Sequence, residues 1–86
     1  MKLKARIAWN IRKLRVARQM TQEALSGDAD VDLSYVARLE GGTANPSVDI
    51  LERFAKALGV DAGEFFRVPA AGERFPRGLP SGRRKK

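Results

Sequence analysis

Residues 21–42, TQEALSGDADVDLSYVARLEGG, decide the fold, because this stretch predicts two short helices joined by a tight turn. Asp32 is a good N-cap for the second helix, predicted over residues 33–40, and Val31 and Val36 have the spacing of a hydrophobic staple. At about 100° per residue, the inner side of this helix carries three large side chains: Tyr35, Val36 and Leu39. Its outer side carries smaller side chains and one long hydrogen-bond donor: Leu33, Ser34, Ala37 and Arg38, followed by Gly41.

A helix with such a small outer face can approach another surface closely. The major groove of DNA is wide enough to hold it, and a side chain such as Arg38 could reach a base edge or a phosphate there. Every small helical protein has outward faces, however, so the geometry alone leaves DNA and protein partners both open.

Size and composition exclude several classes of protein. The 86 residues are enough for one small domain. The absence of Cys and His excludes disulfides, zinc fingers and thiol or imidazole catalysis. No paired-carboxylate spacing or glycine-rich phosphate loop is found, so we expect no enzyme, no cofactor, no metal and no small-molecule ligand. Lysine and arginine interrupt residues 1–10, and no apolar run is long enough to span a membrane, so a cytoplasmic protein is expected.

The net charge of +7 is unevenly distributed along the chain. Residues 1–19 carry seven Lys or Arg and no acid, and residues 67–86 carry seven Lys or Arg and one Glu. Residues 20–66 hold nine acids against three basic residues. The two ends therefore favour a polyanionic partner, whereas the middle, which contains the outward-facing helix, is acidic.

The remaining helices are predicted from apolar spacing and caps. A first helix is expected over residues 3–18 and a second one after Thr21, with the turn at residues 28–30. Ser47 begins a helix that Gly59 ends, and the capping-box pattern of residues 61–64 opens a last short helix. These five helices predict an all-α domain over residues 1–66.

Residues 67–86 have the composition of a flexible basic tail. Three prolines and three glycines disfavour a regular element, and the large apolar residues are too few for a second core. The tail is either simply solvated or attracted nonspecifically to nucleic acid. Trp9, which lies on a separate stripe of the first helix, is expected to pack against the C-terminal segment or against a partner in a dimer.

Several short sequence pieces resemble the Cro/repressor (Xre) family of helix-turn-helix transcription regulators. In order and at the spacings of the family, these are IRKLR (11–15), MTQEAL (20–25), SYVARLE (34–40), NPS (45–47) and AKALGV (55–60). The resemblance covers about residues 11–66. It implies a compact five-helix fold like that of the lambda repressor, with residues 33–40 inside the recognition helix.

The resemblance also implies a role for particular residues. Base edges would be contacted by Leu33, Ser34 and Arg38. The DNA backbone would be contacted by Gln22, Tyr35, Thr43 and Asn45. Arg15 and Glu40 would form a structural ion pair that orients the recognition helix. Leu33 best matches a thymine methyl group, and Arg38 can offer its fork to guanine O6 and N7 or can hold a phosphate.

The function expected from this resemblance is sequence-specific binding of double-stranded DNA by a homodimer that regulates transcription as a repressor on a twofold-related operator. Two alternatives remain open. One is a protein-interaction or antitoxin-like module on the same fold, and the other is a purely electrostatic binder of nucleic acid. The acidic turn argues against DNA contact, because Asp28, Asp30 and Asp32 would repel a phosphate backbone if they faced it.

Overall fold

The computed structural model describes residues 1–74, and these form an all-α fold without strands, as predicted. Its elements in chain order are α1 (Leu3–Ala17), α2 (Gln22–Ala29), α3 (Leu33–Glu40), α4 (Val48–Leu58) and a 3-10 helix (Ala62–Phe66). Four α-helices and one 3-10 helix thus stand where five helices are predicted. None of the helices in these 74 residues is long and apolar enough to cross a lipid bilayer.

Side-chain caps set the starts of α2 and α4. The Thr21 hydroxyl accepts a hydrogen bond from the amide of Ala24 at 3.0 Å, and the Ser47 hydroxyl accepts one from Ile50 at 3.1 Å. Each satisfies an amide that has no partner inside the first turn of a helix. Both predicted caps are confirmed.

Two local predictions around the turn between α2 and α3 differ from the structure. Helix α2 continues through Gly27 to Ala29, so the turn is shorter than predicted, and Asp30 takes the left-handed conformation (φ 57°) that ends the helix. Asp32 stands at the N-cap of α3, but its side chain makes no capping hydrogen bond.

The last helix differs at the capping box. Asp61 accepts a hydrogen bond from Gly63 at 2.8 Å, one residue earlier than a capping box requires, and Glu64 pairs with Arg67 at 2.8 Å. The short reach of Asp61 fits the tighter winding of a 3-10 helix.

The core contains apolar side chains from every element, and the fully buried apolar members are Ile11, Leu25, Val36, Leu39, Phe54 and Phe65. Phe65 of the 3-10 helix closes the core, whereas the neighbouring Phe66 remains 40% exposed. Only one of these two adjacent phenylalanines is therefore part of the core. Dense packing of this kind fixes the position of α3 relative to α1, α2 and α4.

Residues 67–74, which we call the C-terminal strap, lie against α1. The side-chain amide of Asn10 donates hydrogen bonds to the carbonyls of Phe65 at 2.9 Å and Arg67 at 2.8 Å. Farther along, Glu73 forms a salt bridge with Lys13 and accepts a hydrogen bond from the Ala70 amide at 3.0 Å. The basic end of the predicted tail, residues 75–86, lies outside the described residues.

Candidate nucleic-acid interface

Helix α3 divides its residues between the core and the surface. Val36, Leu39 and Glu40 are buried on its inner side. Four residues are exposed on its outer side: Leu33, Ser34, Ala37 and Arg38. The structure therefore brings together on one surface the three residues that the sequence assigns to base edges, Leu33, Ser34 and Arg38. We call the four exposed residues the outer face of α3.

A buried ion pair holds α3 in place from behind. Arg15 of α1 meets Glu40 in a two-pronged arrangement, with Nε to Oε2 at 2.6 Å and Nη2 to Oε1 at 2.9 Å. The two side chains are only 2% and 1% exposed. A third donor of the same guanidinium, Nη1, binds the Met20 carbonyl at 2.7 Å. The pair implied by the resemblance is thus present, and it ties the end of α3 to α1 and to the loop before α2.

Gln22 belongs to the same network. Its side-chain amide donates a hydrogen bond to Glu40 Oε1 at 3.1 Å, so this residue links the start of α2 to the end of α3. The phosphate contact assigned to Gln22 stays a prediction. This hydrogen bond does not exclude it, because the side-chain amide has a second hydrogen to donate.

Thr43 ties the loop after α3 to the end of that helix. Its backbone amide and its hydroxyl both donate to the carbonyl of Arg38, at 3.0 and 3.2 Å. Gly42 takes a positive φ of 80°, and Ala44 is buried, so the loop is anchored at both ends. Thr43 and Asn45 remain exposed beside α3, where a phosphate could approach them.

Tyr35 and Arg38 lie one turn apart on α3 and are in contact. The guanidinium carbon of Arg38 lies over the ring of Tyr35, 5.2 Å from its centroid. Tyr35 is half-buried and packs against the hydrophobic core, whereas Arg38 is exposed. The predicted assignment of Tyr35 to the inner side of α3 therefore holds for only part of its ring.

Basic residues lie near the loop that follows α3. A depression next to Gly42 is lined by residues 2–5, at the start of α1, and these include Lys2 and Lys4. This places positive charge beside the loop that follows the outer face of α3.

The acids of the turn have basic neighbours on α4. Asp28 and Asp30 line a second depression together with Arg53 and Lys56, and the Arg53 guanidinium donates to the Asp30 carbonyl at 3.0 Å. Two cations thus border the same depression as these two acids, which places opposite charge near them. Asp32 is exposed at the start of α3.

Sequence reasoning missed Asn10, which is only 6% exposed and holds the C-terminal strap to α1. The available signal was an amide side chain set between the apolar positions Ile7 and Ile11, since a buried amide requires hydrogen-bond partners. Trp9, the neighbouring residue, is also buried, and it lines an apolar depression together with Glu40, Gly41 and Gly42.

Comparison with known proteins agrees with this geometry. A helix-turn-helix family model matches residues 11–65. The control protein C.BamHI of Bacillus amyloliquefaciens is 39% identical over 51 residues, which are 58% of this chain and 63% of that protein. The chain thus spans less than two thirds of the length of this relative.

Two solved structures have the same fold. The restriction-modification controller protein C.AhdI from Aeromonas hydrophila superposes with a TM-score of 0.72 at 32% identity, covering 73% of this chain and 96% of that one. The controller protein C.Esp1396I, solved as a tetramer in complex with its natural 35 base-pair operator, gives a TM-score of 0.71 at 30% identity, covering 77% and 87%. The chain therefore belongs to the Cro/repressor-type (Xre) family of helix-turn-helix proteins.

Proposed function

We propose that this protein is a transcriptional regulator that binds double-stranded DNA at a specific sequence and inserts α3 into the major groove. One observation carries the proposal: α3 exposes Leu33, Ser34 and Arg38 on one face, and the buried Arg15–Glu40 pair fixes the other face to the fold. A helix held rigidly in this way can present side chains to base edges in a defined register.

Within this proposal each exposed residue has a chemical task. Leu33 packs against a thymine methyl group, and Ser34 contacts bases with little selectivity. Arg38 offers two parallel donors to guanine O6 and N7, or holds a phosphate. The backbone is contacted by four further residues: Gln22, Tyr35, Thr43 and Asn45. Such backbone contacts set the register of the protein on the duplex without reading its sequence.

We further propose that the protein acts as a homodimer on a twofold-related operator and represses transcription by occupying promoter DNA. A domain of this size covers a limited length of DNA, and two half-sites one helical turn apart add affinity and selectivity. A tetramer of the related C.Esp1396I has been solved on its natural operator, which supports an oligomeric mode of binding.

The decisive experiment is selection of bound sequences from a random duplex pool at physiological salt. It uses the full chain and a shorter version that ends at Arg74, which retains the C-terminal strap with its Lys13–Glu73 salt bridge. We expect both to enrich the same palindrome, because the contacts that read bases lie on α3. A palindrome also reports the dimer directly, since its half-site spacing mirrors the protein symmetry.

Two other outcomes separate the alternatives. Binding without an enriched motif, lost when residues 75–86 are removed, indicates a purely electrostatic nucleic-acid binder. Weak binding by both versions indicates a protein-interaction or antitoxin-like module, in which the acidic residues of the middle of the chain bind a basic partner.

A further inference from the structure

We infer that Tyr35 is a positioning residue for Arg38, and that its ring holds the guanidinium in a fixed place before DNA arrives. The inference rests on the proposed contact of Arg38 with DNA and adds a determinant of its specificity. The guanidinium carbon lies over the ring at 5.2 Å from the centroid, within the roughly 6 Å over which a cation is attracted to an aromatic face.

The ring is a suitable platform because it is itself immobile. Tyr35 is half-buried and packs against the core, so the position of its exposed face is set by the fold. The side chain of Arg38, by contrast, is long and exposed, and it would sample many rotamers without a partner. Residues three apart on a helix face the same side, so the contact requires no distortion of α3.

The backbone of Arg38 is fixed as well. Both the amide and the hydroxyl of Thr43 donate to the Arg38 carbonyl, at 3.0 and 3.2 Å. Arg38 is therefore held at its carbonyl by the loop and at its guanidinium by the ring. A side chain ordered before binding loses less conformational freedom in the complex, so the same contact yields a higher affinity.

This role differs from a direct phosphate contact by Tyr35. A tyrosine that touches DNA needs its hydroxyl or its own exposed edge, and its contribution would not depend on Arg38. A tyrosine that positions Arg38 uses its aromatic face, and this part of its contribution disappears when Arg38 is absent. A double-mutant cycle therefore separates the positioning role from the proposed backbone contact.

The test measures dissociation constants of the full chain for the duplex that the wild-type protein selects. The variants are Tyr35→Leu, Tyr35→Phe, Arg38→Ala and the double variant Tyr35→Leu/Arg38→Ala. We expect the loss of affinity caused by Tyr35→Leu to be roughly 2- to 10-fold larger when Arg38 is present than when Arg38 is Ala, which is the range for immobilising one long side chain. Tyr35→Phe, the matched control, retains the ring and loses only the hydroxyl available for the proposed backbone contact, so it should lose less affinity than Tyr35→Leu.

Equal losses from Tyr35→Leu in both backgrounds, or a loss in Tyr35→Phe as large as in Tyr35→Leu, would overturn the inference. Neither result would affect the proposed function, which fails only if the wild-type chain selects no sequence.

A measurement on the DNA-free protein keeps the inference testable if Tyr35→Leu does not fold. The side-chain δ protons of Arg38 should show an upfield ring-current shift in the NMR spectrum of the wild type and of Tyr35→Phe. Ordinary, unshifted δ protons in the wild type would show that the ring does not hold Arg38 in solution.

Discussion

Arg38 separates recognition from folding at the scale of single residues. Its side chain is exposed, and its guanidinium lies over the ring of Tyr35. Its backbone carbonyl accepts a hydrogen bond from the hydroxyl of Thr43. Loss of such a side chain removes donors from the surface and leaves no cavity in the core. Arg15 is the opposite case, because its guanidinium donates hydrogen bonds to Glu40 and to the Met20 carbonyl inside the fold.

Replacing Arg38 by Ala should weaken binding to the selected operator by about 5- to 150-fold, which corresponds to the roughly 1–3 kcal/mol of a bidentate contact to guanine. The melting temperature should stay close to that of the wild type, because surface changes of this kind shift stability by at most about 0.5 kcal/mol. Fluorescence anisotropy at fixed salt measures the first quantity and circular dichroism the second. An unchanged affinity would remove Arg38 from the site.

Replacing Arg15 by Met should cost about 3–5 kcal/mol of unfolding free energy, because Glu40 would be left as a buried charge without its partner. At roughly 4–8 °C per kcal/mol for a domain of this size, the melting temperature should fall by more than about 10 °C.

The matched control for Arg15 is the double variant Arg15→Met/Glu40→Leu. It should recover most of the lost stability, since it removes both charges together. Chemical denaturation of the single and double variants checks both statements, and a single variant as stable as the wild type would contradict the structural role of the pair.

At the scale of elements, the far end of the C-terminal strap is held by one titrating contact, between Glu73 and Lys13. The hydrogen bond from Lys13 lowers the pKa of Glu73, and the bond from the Ala70 amide lowers it further. Because the folded-state pKa of this carboxyl lies below its ordinary value, the attachment contributes fully above the ordinary value. It is lost as the pH falls through the folded-state pKa.

We therefore expect the end of the strap around Glu73 to detach from α1 in acid, while Asn10 keeps the start of the strap in place and the helices remain folded. A carboxyl NMR titration should show that the pKa of Glu73 moves back toward its ordinary value in Lys13→Ala. In the wild type, the protection of the Ala70 amide from hydrogen exchange, relative to its intrinsic rate at each pH, should fall below the folded-state pKa of Glu73. A Glu73 pKa that is the same with and without Lys13 would show that the salt bridge does not form in solution.

The same elements show how far sequence reasoning reaches. The bounds of α3 and the caps at Thr21 and Ser47 could be predicted, because they depend on neighbours within four residues. The Lys13–Glu73 and Asn10–Arg67 contacts join residues about 60 positions apart, and no local pattern encodes such a pairing.

The candidate site could also be predicted only in part. Periodicity identified the residues that α3 exposes, and the resemblance supplied the Arg15–Glu40 pair. Two features required the fold: the hydrogen bond from Gln22 to Glu40, and the position of the Tyr35 ring beneath Arg38. Both depend on side-chain rotamers, which spacing alone does not determine.

At the scale of the whole molecule, positive charge is concentrated at the two ends of the chain and negative charge in the middle. The fold places Lys2 and Lys4 beside Gly42, in the loop that follows α3. The basic N-terminus thus adjoins the loop to which backbone contacts are assigned, whereas Arg53 and Lys56 lie beside the acids of the turn.

The double variant Lys2→Ala/Lys4→Ala should bind DNA with a weaker dependence on salt. Each lost phosphate contact reduces the slope of log K against log salt by about 0.9, and the selected sequence should not change. Lys56→Ala is the control, because this lysine lies near Asp28 and Asp30, and it should leave the slope as it is. A slope unaltered by the loss of both N-terminal lysines would show that they do not contact the backbone.

The division of α3 into a buried side and an exposed side has a consequence for how such proteins diversify. Stability depends on Val36, Leu39 and Glu40, and the proposed recognition depends on other positions of the same helix. Exchanges at Leu33, Ser34 or Ala37 can therefore accumulate over evolution, or be introduced by design, without loss of the fold. Within the proposed function, single exchanges at these three positions would change the operator, whereas Tyr35, which contacts both the core and Arg38, is less free to vary.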